Sequence, residues 1–557
     1  MKNFIYVVIG VLLMGCNTIP YFKENPESVI NTAPFSRGIN FSQWFETPNA
    51  QAIQFTRYIE QDFINVKSMG ADVIRLPVNM HSMTLGAPDY ALDPLLLRML
   101  DTAVGWAEKH HLYIIIDNHS FDPVAPTDEN IDGILLKVWA QLAARYKNRS
   151  KYVVYEILNE PHGISDGRWG EIQGMAIDTI RKIDTTHAII VGGTDYNSIG
   201  KLSSIPKYSD PNLIYTFHFY DPHIFTHQGA SWGEPSLAPL AGVPFPAEGR
   251  RIPQTPDPLK GTWIEGALRN YKNDAAFSTL AASLDKTVAF SRERNAPVFC
   301  GEFGVYMIQS PAKDRVIWYD FVTRALERRN IARASWDYFG GFGIFNTQTG
   351  GDFTADVNVD IVRAMGFISP PQRTRIQKPL SSGFQIYGDF PSRDFSIGYW
   401  GEGSVFSMYD TRAAEGEYAI RWGNAGQYDT FWIELNQNSD FSFLATDGYV
   451  LEFRARAEKP VSFDVRFVNP ESKSSIPWRM RYSINEKTLP PDGKWRLIRV
   501  PLAGMSEHGA WINATQTWIG PQGKFSWKNV KRLEFVSEEG DLKNRDIWFD
   551  SIKIIKP

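Results

Sequence analysis

Ionisable, polar and aromatic residues stand at the ends of several apolar segments in the first two thirds of the chain. These segments have the composition of buried strands, where a polar terminal residue is unexpected unless it faces a polar site. The residues of this kind are Arg75, His119, Asn159, Glu160, His218, Tyr220, Glu302 and Trp336. Each alone has an ordinary explanation, since an Asn-Glu-Pro sequence can cap a helix and a single strand-end histidine is more often structural. Their joint occurrence predicts that they converge on one site.

Two of these residues are glutamates on different predicted strands, Glu160 on the fourth and Glu302 on the seventh. A pair of carboxyl groups facing one cleft meets the requirement for cleaving a glycosidic bond, in which one acid protonates the leaving oxygen and one carboxylate attacks or supports the sugar carbon. Repulsion between two such carboxylates favours the singly protonated pair and separates their pKa values. The pair therefore predicts acid/base chemistry on a sugar.

The elements that would position these residues alternate between apolar runs and helical patterns from about residue 36 to residue 370. Alternating strands and helices are typical of a parallel sheet, and eight strands with alternating helices over this length favour a (β/α)8 barrel, with an open doubly wound sheet as the alternative. Active sites of such barrels lie at the carboxyl ends of the strands. The predicted strands are Arg37–Phe41, Val73–Leu76, Tyr113–Asp117, Val153–Leu158, Ala188–Gly192, Leu213–Tyr220, Pro297–Gly301 and Ala332–Trp336.

Helical patterns fill the segments between these strands. The clearest has Asp93 as its N-cap and Pro94 at its first position, followed by apolar residues at three- and four-residue spacing. A long connection, residues 221–277, is rich in proline and glycine, and loops of this length are usually functional or mobile. The predicted helices are Gln51–Met69, Pro94–His110, Ile131–Tyr146, Gly167–Ile183 and Pro311–Arg329.

A second domain is predicted over residues 380–557, where helical periodicity gives way to short alternating runs separated by turn residues. This pattern is typical of an antiparallel β-sandwich. Its clearest strands are Val450–Ala455, Ser462–Phe467, Trp495–Val500, Arg532–Val536 and Ile547–Ile552.

The motifs of the first domain resemble glycoside hydrolase family five. The resemblance rests on Asn159-Glu160-Pro161, His218-Phe219-Tyr220 and Gly301-Glu302-Phe303-Gly304, in this order and at plausible spacing, and it extends from Arg37 to Phe367, about 60% of the chain. The wider clan of this family keeps glutamates at the ends of barrel strands four and seven. The loop that follows His218 matches no family motif, so the resemblance leaves the choice of substrate open.

The resemblance implies a role for each matched residue. Glu160 would be the general acid/base and Glu302 the nucleophile of a double displacement with retention, their carboxyl groups about 5–5.5 Å apart. Asn159 would contact the 2-hydroxyl of the cleaved sugar. The remaining residues would bind substrate or support Glu302: Arg75 and Tyr220 would keep it ionised, His119 and His218 would line the subsite, and Trp336 would stack on the sugar.

The activity implied by the resemblance is that of an endo-β-1,4-glucanase that hydrolyses internal bonds of β-glucans. A β-mannanase, a xyloglucanase or an enzyme for mixed-linkage glucan (lichenase) remain alternatives, because loops decide between these substrates. Two further alternatives are an enzyme of the same clan that forms glycosidic bonds and a non-catalytic lipoprotein that captures glycans. The presence of both glutamates argues against the last.

The predicted sandwich resembles the jelly-roll carbohydrate-binding modules that accompany such barrels, notably in Trp548-Phe549-Asp550-Ser551-Ile552. It could bind sugar or serve as a structural module, since its tryptophans suit both stacking and core packing. Asp550 could help to hold a structural calcium ion, as in similar jelly rolls. Trp44, Trp232 and Trp263 could form further sugar platforms in the first domain or pack its loops down, since aromatic side chains serve both uses.

The N-terminus has the features of an export signal over residues 1–16: Lys2, a short apolar run, and Gly15-Cys16. The small residue before Cys16 resembles the lipobox of bacterial lipoproteins, and the resemblance implies acylation of Cys16, a tether over residues 17–35 and anchoring in the cell envelope, at the outer membrane or the cell surface. A plain secretory signal, with release from the cell, is the alternative.

Composition limits the other classes of function. The chain has 557 residues, 43% of them hydrophobic and 22% charged, with a net charge of -4, which is typical of a soluble globular protein and does not indicate nucleic-acid binding. With 2 cysteines, of which Cys300 lies in an apolar run, the sequence predicts no disulfide framework. We find no metal-ligand spacing and expect catalysis without a cofactor or metal, by a monomer that acts on a β-linked polysaccharide.

Overall fold

The computed structural model describes residues 26–348, 351–374, 379–472 and 475–557. The predicted signal segment, Cys16 and the first part of the predicted tether lie outside the described residues. In the part of the chain that is described, no helix combines the length and the apolar character needed to cross a bilayer.

The first domain is a closed barrel of eight strands in sequential order, with each strand parallel to its neighbours and β1 paired with β8. The predicted (β/α)8 barrel is thus confirmed, and each predicted strand lies within a few residues of an observed one. The strands are β1 Arg37–Asn40, β2 Val73–Val78, β3 Tyr113–Asn118, β4 Val153–Glu156, β5 Ala188–Gly192, β6 Leu213–Phe219, β7 Val298–Phe303 and β8 Ala332–Ser335.

Helices surround this barrel and also occupy part of the long connection after β6. Helix α2 begins as predicted, with the Asp93 carboxylate accepting the Leu95 N–H at 2.8 Å and Pro94 at the first position. The helices of the barrel domain are α1 Glu60–Ser68, α2 Pro94–Lys109, α3 Asp132–Tyr146, α4 Asp166–Arg181, α5 Thr194–Asn197, α6 His223–Thr226, α7 Trp263–Asp274, α8 Phe277–Arg294, α9 Ala312–Arg328 and α10 Val359–Ala364.

The first predicted helix, Gln51–Met69, is too long. Helix α1 starts only at Glu60, where the Asp62 carboxylate accepts the Ile59 N–H at 2.9 Å and so satisfies one of the free donors of the first turn. The preceding residues form two short 3-10 turns that contact the second domain; for example, the Gln54 side chain donates to the Ile397 carbonyl at 2.8 Å. A contact distant in sequence therefore replaces the expected helical turns.

The barrel interior consists of an apolar layer below a polar one. Side chains on a strand alternate between its two faces, so residues two apart share a face. Val73, Ile115 and Val154 belong to one buried apolar cluster with Phe35, and Arg75, Asp117 and Glu156, each two residues further along, lie buried above it. The polar layer is therefore a direct consequence of the strand period.

The second domain is a sandwich of two antiparallel sheets, in agreement with the predicted fold class. One sheet has seven strands in the order β10-β13-β20-β15-β16-β18-β19, and the other has six in the order β11-β12-β21-β14-β17, with β9 paired to β21. The short helix α11, Ser442–Thr446, connects β13 to β14. The strands are β9 Phe384–Tyr387, β10 Phe395–Trp400, β11 Val405–Asp410, β12 Ala419–Gly423, β13 Thr430–Ser439, β14 Val450–Ala457, β15 Phe463–Val468, β16 Arg479–Ile484, β17 Arg496–Pro501, β18 Ser506–Ile512, β19 Thr517–Ile519, β20 Val530–Val536 and β21 Asp546–Ile555.

The two domains pack against each other through apolar and polar contacts. Phe390 of the sandwich lies 5.5 Å, between ring centroids, from Phe55 of the barrel domain. The Arg393 guanidinium forms an ion pair at 2.7 Å with Asp62, which is fully buried. The buried hydrophobic residues of both domains form one continuous cluster, so the sandwich is docked on the barrel domain.

Replacing Arg393 with methionine should destabilise the protein. The Asp62 carboxylate would keep the hydroxyl of Tyr338 and the N–H of Ile59 as donors but would lose its cation. We expect the free energy of unfolding at pH 7 to fall by about 2 kcal/mol, measured by urea denaturation, because an uncompensated buried charge is costly.

The pH dependence of this loss separates the charge from simple packing. Burial raises the pKa of Asp62 and the Arg393 charge opposes that rise, so the pKa should climb further in Arg393→Met. Protonation relieves the uncompensated charge, so the deficit should shrink as the pH falls through this raised pKa. The double variant Asp62→Asn/Arg393→Met is the control and should recover most of the loss. An equal deficit at pH 5 and pH 8 would contradict the explanation.

Candidate active site

Arg75, on β2, lies at the centre of the polar layer and is fully buried. Its guanidinium forms ion pairs with Asp117 at 3.0 Å, Glu156 at 2.8 Å and Glu302 at 2.7 Å. It also donates to the side-chain oxygen of Asn159 at 2.7 Å. Burial by itself would lower the pKa of Arg75, but the three carboxylates raise it well above its ordinary value. Arg75 is therefore a permanent cation that fixes several polar groups at once.

Glu302, near the end of β7, is held by two donors. Arg75 Nη1 donates to its Oε1 at 2.7 Å, and the Tyr220 hydroxyl donates to its Oε2 at 2.8 Å. Burial would raise the pKa of Glu302, yet the charges of His218, Arg75 and His119, with the Tyr220 hydrogen bond, lower it below its ordinary value. Glu302 is therefore held as a carboxylate.

A bulge in the β6–β7 pairing gives Glu302 its inward direction. Phe217 pairs with Cys300, but the next residue, His218, pairs with Glu302, so Gly301 is an extra residue on β7. A Cβ atom on Gly301 would lie 2.7 Å from the Thr216 hydroxyl and 3.1 Å from His218 Nε2. A glycine is favoured here because the Thr216 and His218 side chains of the neighbouring strand already occupy the space that a Cβ atom would take.

Glu160 follows β4 and faces Glu302 across the cleft. Its backbone has a φ of 46°, in the left-handed region, where residues other than glycine are uncommon. Its Oε1 lies 2.6 Å from His218 Nδ1. One carboxylate oxygen of Glu160, one of Glu302 and a ring nitrogen of His218 all lie within 4.8 Å of one another. Such proximity suits the short carboxyl separation of a double displacement and not the 6.5–9.5 Å of inverting enzymes.

His119 and Trp336 form a second wall of the same cleft. Their rings are stacked, with centroids 5.6 Å apart and an interplanar angle of 14°. His119 Nδ1 lies 2.7 Å from an Asp117 oxygen. Burial would lower the pKa of His119, but the charge and hydrogen bond of Asp117, with the nearby Glu46, raise it to about 9. A cationic His119 beside a partly exposed indole provides a donor next to an apolar face.

Asn159 completes the set of predicted residues at the cleft. Its Oδ1 accepts from Arg75, and its Nδ2 lies 3.4 Å from His119 Nε2. The hydrogen bond from Arg75 fixes the orientation of the amide, with the NH2 group at the cleft wall. All eight predicted residues lie around one site; six of them line a cleft of about 1440 Å³, and Arg75 and His218 support it from behind.

Several residues of the site were not predicted. Asp117 and Glu156 pair with Arg75, Asn40 accepts from it at 3.0 Å, and Glu46 lies 3.7 Å from His119. A carboxylate within an otherwise apolar strand, as in Val153-Val154-Tyr155-Glu156, is the signal that identifies such residues. Glu46 lies in a loop and gives no comparable signal.

The three further candidate sugar platforms differ in their surroundings. Trp44 is fully buried and donates its indole N–H to the Phe55 carbonyl at 2.8 Å, so of its two expected uses it has the packing one and is not a sugar platform. Trp232 is 44% exposed and lines the cleft. Trp263 is 51% exposed but borders a separate cavity of about 670 Å³.

Two other expectations concern single residues outside the cleft lining, Cys300 and Asp550. Cys300 is buried as a free thiol, and burial raises its pKa, so it has the character of an inert core residue. Both Asp550 carboxylate oxygens accept backbone N–H groups, from Ala414, Glu415 and Ser551 at 2.6–2.9 Å. These hydrogen bonds give Asp550 a role in a turn and occupy oxygens that a cation would need.

The hydrogen bond from Tyr220 gives a testable expectation for Glu302. In Tyr220→Phe the carboxylate loses one donor while burial remains, so the pKa of Glu302 should rise. A carbon-13 NMR titration of glutamate side chains would measure it, with Glu302→Gln used to assign the signal. Tyr319→Phe, a buried hydroxyl on α9 that donates to the Phe342 carbonyl, is the matched control and should leave that pKa unchanged. An unchanged pKa in Tyr220→Phe would contradict the assigned hydrogen bond.

Comparison with known proteins gives one family and several relatives. The family model described as "Cellulase (glycosyl hydrolase family 5)" matches residues 32–340. Endoglucanase C of Acetivibrio thermocellus is 28% identical over 319 residues, which cover 55% of this chain and 91% of that protein. Endoglucanase H of the same organism is 25% identical over 543 residues, covering 88% of this chain and 53% of that protein, so this similarity extends into the sandwich.

A solved structure of a hyperthermophilic endo-β-1,4-glucanase in complex with substrate has a TM-score of 0.50 and 23% identity, and covers 60% of this chain and 97% of that chain. This likeness concerns the fold alone. The family match spans more than half of the chain, and enzymes of this family need no cofactor for catalysis. The protein therefore belongs to glycosyl hydrolase family 5 and is a glycosidase.

Proposed function

We propose that this glycosidase is a retaining endo-β-1,4-glucanase in which Glu302 is the nucleophile and Glu160 the general acid/base. The observation that carries the proposal is the proximity of the two carboxylates, within 4.8 Å of each other and of His218. The printed names of the relatives, endoglucanases C and H, support a glucan as substrate. Mixed-linkage glucan, xyloglucan and β-mannan remain alternatives that the two glutamates do not distinguish.

The first step forms a covalent glycosyl-enzyme. A sugar ring stacked on Trp336 presents its anomeric carbon to Glu302, whose lowered pKa keeps it ionised and nucleophilic. Glu160 gives a proton to the leaving oxygen as the bond breaks. The fixed NH2 group of Asn159 would donate to the 2-hydroxyl of the same sugar, where hydrogen bonds strengthen in the transition state.

The second step returns the enzyme to its starting state. Glu160, now ionised, takes a proton from water as the water attacks the anomeric carbon, and Glu302 leaves. His218 Nδ1 lies 2.6 Å from Glu160 Oε1. Burial would lower the pKa of His218, but the charges of Glu302 and Glu160 raise it, so this ring can share the proton that Glu160 donates. Two inversions at one carbon give net retention.

We also propose the division of the chain into a catalytic domain over residues 36–370 and a sandwich over residues 380–557, and a lipid anchor on Cys16. The lipobox resemblance supports the anchor, and labelling of the native protein with an alkyne fatty acid, with Cys16→Ala as control, would test it. A structural calcium ion in the sandwich stays a prediction, to which the turn role of Asp550 lends no support. The monomeric state also stays a prediction.

Substitution of each glutamate tests the mechanism. In Glu302→Ala, kcat on β-1,4-glucan should fall by about 10⁴-fold or more, because the covalent step loses its nucleophile. Added azide should restore turnover and give a glycosyl azide of inverted configuration. Wild-type activity in Glu302→Ala, measured by release of reducing sugar, would rule out the mechanism.

Glu160→Ala should respond differently, which distinguishes the two roles. Substrates with an activated phenol as leaving group need no protonation, so their first step should remain fast while the second becomes slow. Azide should then rescue the second step with retention. Proton NMR of the wild-type reaction should show the β-anomer as first product; formation of the α-anomer would contradict a retaining mechanism. Glu171→Ala, an exposed glutamate on α4, is the matched control and should behave as wild type.

A further inference from the structure

The cleft that contains Glu160 and Glu302 does not end at the rim of the barrel. Its lining continues onto the sandwich, where it includes Gln385 of β9, Asp394, and Ser396 of β10. Gln385 and Asp394 are exposed, and Ser396 is half-buried. One cavity is thus bounded by both domains.

The position of this sandwich wall relates it to one side of the cleaved bond. The wall lies next to the loops that follow β1 and β8, since Gln54 and Arg57 line the same cleft and Gln54 bonds to β10. In a ring of eight sequential strands, β8 lies opposite β4, and the segment that follows β4 carries Glu160. The leaving group departs on the side of its proton donor. Sugars on the sandwich side therefore belong to the part of the chain that stays on Glu302 in the covalent intermediate.

The wall is held in a fixed place. Arg393 forms an ion pair with the buried Asp62. Its guanidinium also lies 5.9 Å from the ring centroid of Phe339, a residue in the same loop as Trp336. Asn436 donates its side-chain NH2 to the Arg393 carbonyl and its backbone N–H to the Asp394 carbonyl, both at 2.9 Å. A wall fixed in this way binds a ligand without first being ordered, which lowers the entropic cost of binding.

The chemistry of the wall fits a neutral, hydroxyl-rich chain. Amide, hydroxyl and carboxylate groups together both donate to and accept from sugar hydroxyls. The cleft lining holds two arginines, of which Arg393 is paired with Asp62, and it holds more carboxyl groups than arginines, so it does not favour an acidic polysaccharide. The cleft, at about 1440 Å³, exceeds the roughly 300–1,000 Å³ of pockets for drug-sized ligands, so it has room for several sugar units.

We propose that Gln385, Asp394 and Ser396 form a distal subsite for the non-reducing side of a neutral β-linked glucan chain. The sandwich is then part of the substrate cleft. This inference rests on the proposed retaining glucanase activity, because the roles of Glu160 and Glu302 define which side of the cleaved bond the wall contacts. Its direct consequence is a preference for long substrates.

The test compares short and long β-1,4-gluco-oligosaccharides in the full-length protein. In Gln385→Ala/Asp394→Ala we expect kcat/KM on the hexasaccharide to fall about tenfold, through loss of two or more hydrogen bonds to sugar. On the trisaccharide, which does not reach the wall, the fall should stay below twofold. The matched control is Gln522→Ala/Glu402→Ala, two exposed sandwich residues outside the cleft lining, and it should change neither value.

The outcomes separate the subsite from the activity. A loss confined to the hexasaccharide supports the wall, while equal losses on both lengths, or no loss on either, overturn it. Absence of wild-type activity on every glucan would overturn the proposed function instead. In that case calorimetric titration with the hexasaccharide decides the subsite: weaker binding to Gln385→Ala/Asp394→Ala than to its control supports it, and equal binding overturns it.

Discussion

The burial of Arg75 among carboxylates is the constraint on which the rest of the site depends. A charge inside a barrel is tolerated only when it is paired and hydrogen-bonded, and Arg75 meets this condition through Asp117, Glu156 and Glu302. Burial raises the pKa of Glu156 even beside this cation. The same cation lowers the pKa of Glu302 and helps to keep it ionised, which is the state that a nucleophile requires.

Two backbone features turn this cluster into a site. Side chains on a strand alternate between its two faces, so a residue two positions after one in the apolar layer points to the same side of the strand. It therefore lies in the polar layer above. Glu302 stands three residues beyond Phe299, which belongs to the apolar layer, and only the extra residue at Gly301 brings it to the same side. A regular β7 would direct this carboxylate away from Arg75. The bulge is therefore as necessary to the geometry as the glutamate itself.

The sequence predicts the barrel well because buried parallel strands are continuous apolar runs. The spacing of these runs along the chain does not depend on how individual side chains pack. It also predicts which polar residues gather at the active-site face, since the carboxyl ends of all eight strands lie on one face of a barrel. It does not reveal Glu46, which lies in a loop, or the late start of the first predicted helix, which depends on contacts to residues more than 300 positions away. The sequence also does not show which sandwich tryptophans pack the core and which are exposed. Trp422 is buried in the core, whereas Trp400 is 62% exposed, and no local pattern distinguishes them.

Docking of the sandwich and shaping of the cleft use the same residues. Asp62 accepts from Arg393 of the sandwich and from the hydroxyl of Tyr338, which lies two positions beyond Trp336. Between them, Asp337 accepts a hydrogen bond from Ser42, and burial raises the pKa of Asp337 to about 8. The segment that presents the indole to the substrate is thus held from below by the barrel and from the side by the docked domain. Because one buried carboxylate serves both contacts, a shift of the sandwich would be transmitted to the loop that carries Trp336.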